Sequence, residues 1–262
     1  MDLSSVRLRA RLAGDPSRRP PLLIISGIGA GLEMAAPFEH ELNECGVRTI
    51  SYDAPGVGES TAYRWPRRMP SVAQTIVELL DALSVDVVDV FGVSLGGAVA
   101  QQLARQASHR VRRLVLAATG PGVGGLPGSP RVLWSLATPR RYYQPDYYRR
   151  IAGTTYGGIA RSDPDALLYG SLARFRGRPT ASGYFAQMYS IAGWTSIPWL
   201  RHVQQPTLVL GGDDDPIAPL LNSRILTRLI PHARLIVIPG GHLFVLERPA
   251  AVARTVADFL TS

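Results

Sequence analysis

Val90-Phe91-Gly92-Val93-Ser94-Leu95-Gly96-Gly97 sets a serine between glycines where an apolar run ends and an amphipathic stretch begins. A strand read over residues 85–91 leads into it and a helix read over 96–107 leads out, so Ser94 sits on a strand-to-helix turn. Such a turn strains the backbone of the serine and brings other backbone close, and Gly92 and Gly96 leave room that β-carbons would fill. Gly-x-Ser-x-Gly alone occurs by chance in many chains. The strand before it and the helix after it make the match specific, and Ser94 is the candidate nucleophile.

Outward from this turn, short runs rich in branched residues alternate with amphipathic stretches. Residues 22–26, 47–52, 111–117, 207–210 and 235–238 read as further buried strands, and 37–43, 71–83 and 220–229 as helices. A last helix is read over 249–260, with Pro249 in its first turn, where a missing N–H costs nothing. Strands alternating with helices predict an α/β fold built on a doubly wound, mostly parallel sheet. The 262 residues fit one such unit.

The alternation stops over residues 120–198, where Gly, Pro, Tyr and Arg crowd together without a strand signal. The core is therefore expected over 1–119 and 199–262, with 120–198 a mainly helical lid inserted between two core strands. Eight of the ten tyrosines lie in it, with Trp134 and Trp194 and with Trp199 just past its end. Nine arginines against Asp146, Asp163 and Asp165 leave it at +6. In sheets of this kind, sites lie beyond the carboxyl ends of the strands, where an insertion can cover them. Most of the aromatics are expected to build the insertion's own small core.

A serine hydroxyl needs a base within hydrogen-bond reach. Of the five histidines, His242 alone follows the last predicted strand, in Pro239-Gly240-Gly241-His242-Leu243; His40, His109, His202 and His232 occupy polar helix ends or loop starts and read as solvated. The imidazole in turn needs an acceptor, usually a carboxylate. Asp213, Asp214 and Asp215 follow the strand at 207–210 and are the candidates; resemblance to hydrolases with such a nucleophile turn, whose acid commonly sits three residues after a glycine and four before a proline, implies Asp215 from Gly212 and Pro219, with Asp214 in reserve. The order Ser, Asp, His suits a nucleophile turn of this type. An oxyanion requires two N–H donors. Leu95, directly after the serine, is one candidate, and Ile28 in Ser26-Gly27-Ile28-Gly29-Ala30-Gly31 is the other.

Several classes are disfavoured. Gly27-x-Gly29-x-Gly31 lacks Gly-x-Gly-x-x-Gly spacing, so no dinucleotide and no other cofactor is expected. The three adjacent aspartates lack calcium-loop spacing, so no metal is expected. The net charge of +8 comes entirely from arginine, but no nucleic-acid module accompanies it, and no nucleic-acid partner is expected. No run is long and apolar enough for a membrane span, and residues 1–12 alternate arginine with apolar residues instead of forming a secretory core. Cys45, the single cysteine, allows no internal disulfide and is expected to be buried and inert.

Larger motifs add a resemblance. Gly27-Ile28-Gly29-Ala30, Asp53-Ala54-Pro55-Gly56-Val57-Gly58, Gly92-Val93-Ser94, Leu114-Val115-Leu116-Ala117-Ala118-Thr119 and Gln205-Pro206-Thr207-Leu208-Val209-Leu210 resemble the intracellular medium-chain-length poly(3-hydroxyalkanoate) depolymerases of the α/β-hydrolase superfamily. The likeness continues into the insertion through Arg131-Val132-Leu133-Trp134, Pro139-Arg140-Arg141-Tyr142, Tyr156-Gly157-Gly158 and Gly193-Trp194-Thr195-Ser196-Ile197. It implies ester hydrolysis of a stored polyester or its oligomers through an acyl-enzyme, with Ser94, Asp215 and His242 as triad, in the cytoplasm at or near storage granules. Leu95 stands where the family typically has tryptophan, and Gly240-Gly241 replaces an acidic pattern before the histidine. Arg140 and Arg141 are expected to meet an acidic granule coat or the carboxylate of a cut end. The alternatives are a small-ester or lactone hydrolase, a carbon–carbon bond hydrolase of the same fold, and a non-catalytic binding module.

Overall fold

The computed structural model describes residues 1–15, 19–167 and 177–262. Seven strands form one sheet: β1 (Ala10–Ala13), β2 (Leu22–Ile25), β3 (Thr49–Tyr52), β4 (Val88–Val93), β5 (Val111–Ala117), β6 (Thr207–Gly212) and β7 (Ala233–Ile238). Their spatial order is β1-β3-β2-β4-β5-β6-β7, and every pairing is parallel except β1 with β3. The central strands are continuous apolar runs because helices cover both faces. Leu23, Ile25, Val90, Leu114 and Leu116 point to one face, where they meet α2 (Met69–Ala82), α3 (Leu95–Gln106) and α7 (Leu220–Leu229). Leu22, Ile24, Phe91, Val115 and Leu208 point to the other, against α1 (Leu32–Glu44) and α8 (Pro249–Thr261). The sheet is thus doubly wound, as the alternation predicts.

The parallel strands carry their following loops to one edge. Ile28 follows β2, Ser94 follows β4, Asp215 follows β6 and His242 follows β7. Between β5 and β6 the chain forms α4 (Pro130–Leu136), α5 (Pro145–Tyr156) and α6 (Ala181–Ile191), with 3₁₀ turns at Pro139–Tyr142 and Gly158–Arg161. These run over that edge: Val57 bridges Pro179, and Thr180 donates from its N–H to the Gly56 carbonyl at 2.7 Å.

Three sequence expectations need correction. Strand β1 was not anticipated, although the arginine–apolar alternation near the start is the period-two pattern of a half-buried edge strand: Val6 and Leu8 are buried and lead into it. Strand β4 lies at Val88–Val93 instead of 85–91, so it runs directly into Ser94; Val85 belongs to the turn after α2. Cys45 is exposed, because it caps the end of α1 rather than facing the core.

Candidate active site

Ser94 has φ 56° and ψ −121°, a conformation costing roughly 1–3 kcal/mol that persists only when its surroundings enforce it. They do so by close packing. A β-carbon on Gly92 would lie 2.5 Å from the Gly96 carbonyl oxygen, and one on Gly96 would fall onto the Ile25 carbonyl. The Ser94 N–H donates to Ala117 of β5 at 2.9 Å, and Thr119 Oγ1 donates to the Ser94 carbonyl at 2.7 Å. The hydroxyl is left at the start of α3, whose first N–H groups have no intrahelical acceptor.

The three side chains expected to work together do meet. His242 Nε2 lies 3.0 Å from Ser94 Oγ, and His242 Nδ1 lies 2.8 Å from Asp215 Oδ2 and 3.0 Å from Oδ1. Both His242 and Asp215 are buried, whereas His40, His109, His202 and His232 are all exposed. Asp215 Oδ1 also accepts the N–H groups of Ile217 and Ala218, both at 2.9 Å, which fixes the carboxylate independently of the histidine.

The neighbouring acids hold other partners. Asp214 takes a bidentate contact from Arg161 at 2.5 and 2.7 Å and the Gly158 N–H at 2.8 Å, and Arg161 holds its carboxyl below the ordinary range. Asp213 accepts the Gly240 N–H at 2.9 Å. Three consecutive carboxylates thus serve three separate contacts, and the reserve candidate Asp214 is turned toward the segment between β5 and β6.

The Ile28 loop stands against the serine: a β-carbon on Gly27 would come within 3.2 Å of Ser94 Cβ. Among the described residues no acceptor engages the Ile28 N–H, while the Ile28 carbonyl accepts from Tyr142 Oη at 2.5 Å and the Gly29 N–H donates to Gln187 Oε1 at 2.9 Å. The His242 N–H donates to the Tyr156 carbonyl at 2.7 Å. Tyr142, Tyr156 and Gln187 therefore hold site loops from outside the sheet. Sequence reasoning assigned none of them this role; the motifs containing Tyr142 and Tyr156 were the available signal.

Ser94 and His242 open onto a cavity of about 100 Å³, whose walls include Ile24, Phe38, Phe91, Met34, Leu136 and Leu243. For scale, an engineered cavity of about 150 Å³ accepts one benzene ring. Leu95 lines a second apolar cavity together with Tyr52, Tyr63 and Val72. Among the described aromatics of residues 120–198, Tyr142, Tyr148, Tyr156 and Tyr184 are buried, and Tyr142 and Tyr156 also line the first cavity. Trp134 is 81% exposed and Tyr143, Phe185 and Tyr189 are exposed, so the expectation of an internal core holds for only part of the set. Arg140 is exposed, but Arg141 is buried at 1% exposure and lines the first cavity. It cannot meet a granule surface, because the segment folds it inward between Tyr142 and Tyr184.

Comparison with known proteins agrees with this architecture. A family model described as the alpha/beta hydrolase fold matches residues 20–249. The chain is 47% identical to a poly(3-hydroxyalkanoate) depolymerase of Ectopseudomonas oleovorans, covering 99% of this chain and 90% of that protein. It is 25% identical to 3-oxoadipate enol-lactonase 2 of Acinetobacter baylyi over 91% and 87% of the two chains. A solved enol-lactonase from Burkholderia xenovorans superposes with a TM-score of 0.84 at 24% identity, covering 99% of this chain and 98% of the other, a likeness of fold. The chain therefore belongs to the α/β-hydrolase fold family and, within it, to the family of the poly(3-hydroxyalkanoate) depolymerases.

Proposed function

We propose that this protein hydrolyses carboxylic esters of medium-chain-length poly(3-hydroxyalkanoate) or its oligomers, through an acyl-enzyme on Ser94. The observation that carries the chemistry is the unbroken line from Ser94 Oγ through His242 to Asp215, opening onto an apolar cavity. The choice of ester rests on the 47% identity to the depolymerase.

In this reading His242 Nε2 takes the hydroxyl proton as Ser94 Oγ adds to the ester carbonyl. The Ile28 and Leu95 N–H groups hold the resulting oxyanion. Asp215 stays ionised, accepts the Nδ1–H and stabilises the imidazolium. Collapse expels the alcohol, which takes its proton from His242. Water, deprotonated by the same imidazole, then adds to the acyl-enzyme and releases the acid.

Residues 120–198 serve as the lid over this site. What supports this is their reach: Tyr142, Gln187, Tyr156 and Arg161 each bind a loop that carries or flanks a site residue. The exposed Leu133, Trp134 and Arg140 suit the surface of a cytoplasmic polyester granule with an acidic coat. Arg140→Gln is expected to weaken granule binding and flatten its salt dependence in a sedimentation assay; unchanged binding at all salt concentrations overturns this part.

One observation favours a second reading. The cavity at Ser94 is small, which suits a short ester or a lactone as readily as a polymer segment. Rates on a 3-hydroxyalkanoate oligomer, a short p-nitrophenyl ester and a lactone separate the two. Release of hydroxy acid from the oligomer supports the depolymerase; turnover confined to the short ester or lactone supports the alternative. A fluorophosphonate probe is expected to label the protein covalently and to fail on Ser94→Ala. Labelling that survives this substitution overturns both readings.

A further inference from the structure

Among the described residues Arg141 is the largest fully buried side chain, and it lies in the wall of the same cavity as Ser94 and His242. A guanidinium carries five N–H donors. Nη1 donates to the Thr138 carbonyl at 3.2 Å and to Tyr184 Oη at 2.7 Å, while Nε is buried with no acceptor. No ion pair forms between Arg141 and any described carboxylate. The residues outside the described set, 16–18 and 168–176, contain no Asp or Glu, so the chain has no further carboxylate to offer.

A buried cation without an anion is costly and ordinarily finds one. The surroundings hold this one in place: its guanidinium carbon lies 4.8 Å from the Tyr142 ring centre and 5.2 Å from that of Tyr184. Tyr184 Oη donates its own proton to the Leu136 carbonyl at 2.5 Å, which leaves its lone pairs to face Arg141. Most of the rest of the cavity wall is apolar, and Arg141 carries its only guanidinium or carboxylate charge. A planar guanidinium with free donors in such a wall is suited to a carboxylate.

We infer that Arg141 is a carboxylate-binding residue, and that the site prefers esters whose alcohol-side unit ends in a free carboxylate. This rests on the reading of the protein as a Ser94 ester hydrolase and deepens it. In a 3-hydroxyalkanoate chain the terminal carboxyl carbon is three bonds from the ester oxygen of its own unit, so both fit within one small cavity. With the terminal carboxylate on Arg141, the ester presented to Ser94 is the last in the chain. Each turnover then frees one 3-hydroxy acid from the carboxyl end, and the remaining chain, left as acyl-enzyme, is released by water with a new terminal carboxylate.

The test compares a 3-hydroxyoctanoate dimer with a free carboxyl terminus against the same dimer capped as its methyl ester, using the full-length protein. The wild type is expected to favour the free acid at least tenfold in kcat/KM, mostly through KM. In Arg141→Gln that ratio is expected to fall toward one. Should the variant not fold, a second measurement on the wild type replaces it: 3-hydroxyoctanoate against 3-hydroxyoctanamide as inhibitors of p-nitrophenyl butyrate hydrolysis, with the carboxylate expected at least tenfold tighter. A wild type indifferent to the cap, or inhibited equally by acid and amide, overturns the inference and assigns Arg141 to holding the segment together. Turnover of p-nitrophenyl butyrate in that same case leaves the ester-hydrolase reading standing, whereas its absence, with no fluorophosphonate labelling, removes both.

Discussion

The sheet edge and the segment laid across it share close backbone packing but differ in how much rests on single polar side chains. On the sheet, Ser94 is fixed by backbone in contact with backbone: Gly92 against Gly96, Gly96 against Ile25, and apolar strands covered on both faces. The described residues of the segment over 120–198 also meet the core backbone to backbone, Gly158 against Gly241 and Gly183 against Gly56, and they add individual polar contacts to single loops: Tyr142 to Ile28, Gln187 to Gly29, Tyr156 to His242 and Arg161 to Asp214. Backbone packing tolerates almost no change. Single polar contacts can be removed one at a time, and each loss should read out on the loop it holds.

The largest contrast lies between two adjacent acids. Asp215→Asn keeps the size of the side chain but turns an acceptor-only group into one that also donates, so the imidazole loses its tautomer control. A fall in kcat of about 10⁴ is expected on a short p-nitrophenyl ester. Asp214→Asn, one residue earlier, should change kcat less than about tenfold; equal losses in the two variants would remove the distinction between the residues.

Tyr142→Phe sharpens the comparison at the oxyanion loop. It deletes the hydroxyl that holds the Ile28 carbonyl, worth about 1 kcal/mol, or roughly fivefold. The loss should fall on kcat with KM little changed, since in the proposed reaction the loop acts on the developing charge. A change in KM alone would place Tyr142 in substrate contact instead.

The smallest effect concerns pH. Arg161 depresses the Asp214 pKa, so this pair stabilises the fold above the ordinary carboxylate pKa and loses its contribution as pH falls through the depressed value. Both side chains are about half exposed, which limits the contribution to about 1 kcal/mol or less. Asp214→Asn should therefore lower the urea midpoint slightly at pH 7 and match the wild type once the pH is below the depressed value. A difference that persists unchanged there would assign the effect to the Gly158 hydrogen bond alone.

The parallel sheet was legible because buried strands must be continuous apolar runs and their connecting helices must be amphipathic. Local chemistry also marked Ser94, since only a glycine-flanked turn admits that backbone. Asp215 could be preferred over Asp214 only through the resemblance to hydrolases of this fold, and the contacts of the two separate them physically. Strand β1 is hard to read because it is four residues long and no side chain within it is buried, so its alternation marks no core face. Arg141 and Arg140 could not be told apart in the chain, where both are arginines in a basic, tyrosine-rich stretch.

The sequence alone determined the fold class, the turn at Ser94 and the order of the three site residues, because each depends on residues close together in the chain. Only the tertiary structure decided that Arg141 turns inward without a counter-ion, that Tyr142 holds Ile28, and that Tyr156 holds His242. Those contacts join residues about 85 to 115 positions apart, and no local pattern encodes where a long insertion comes to rest on the edge of a sheet.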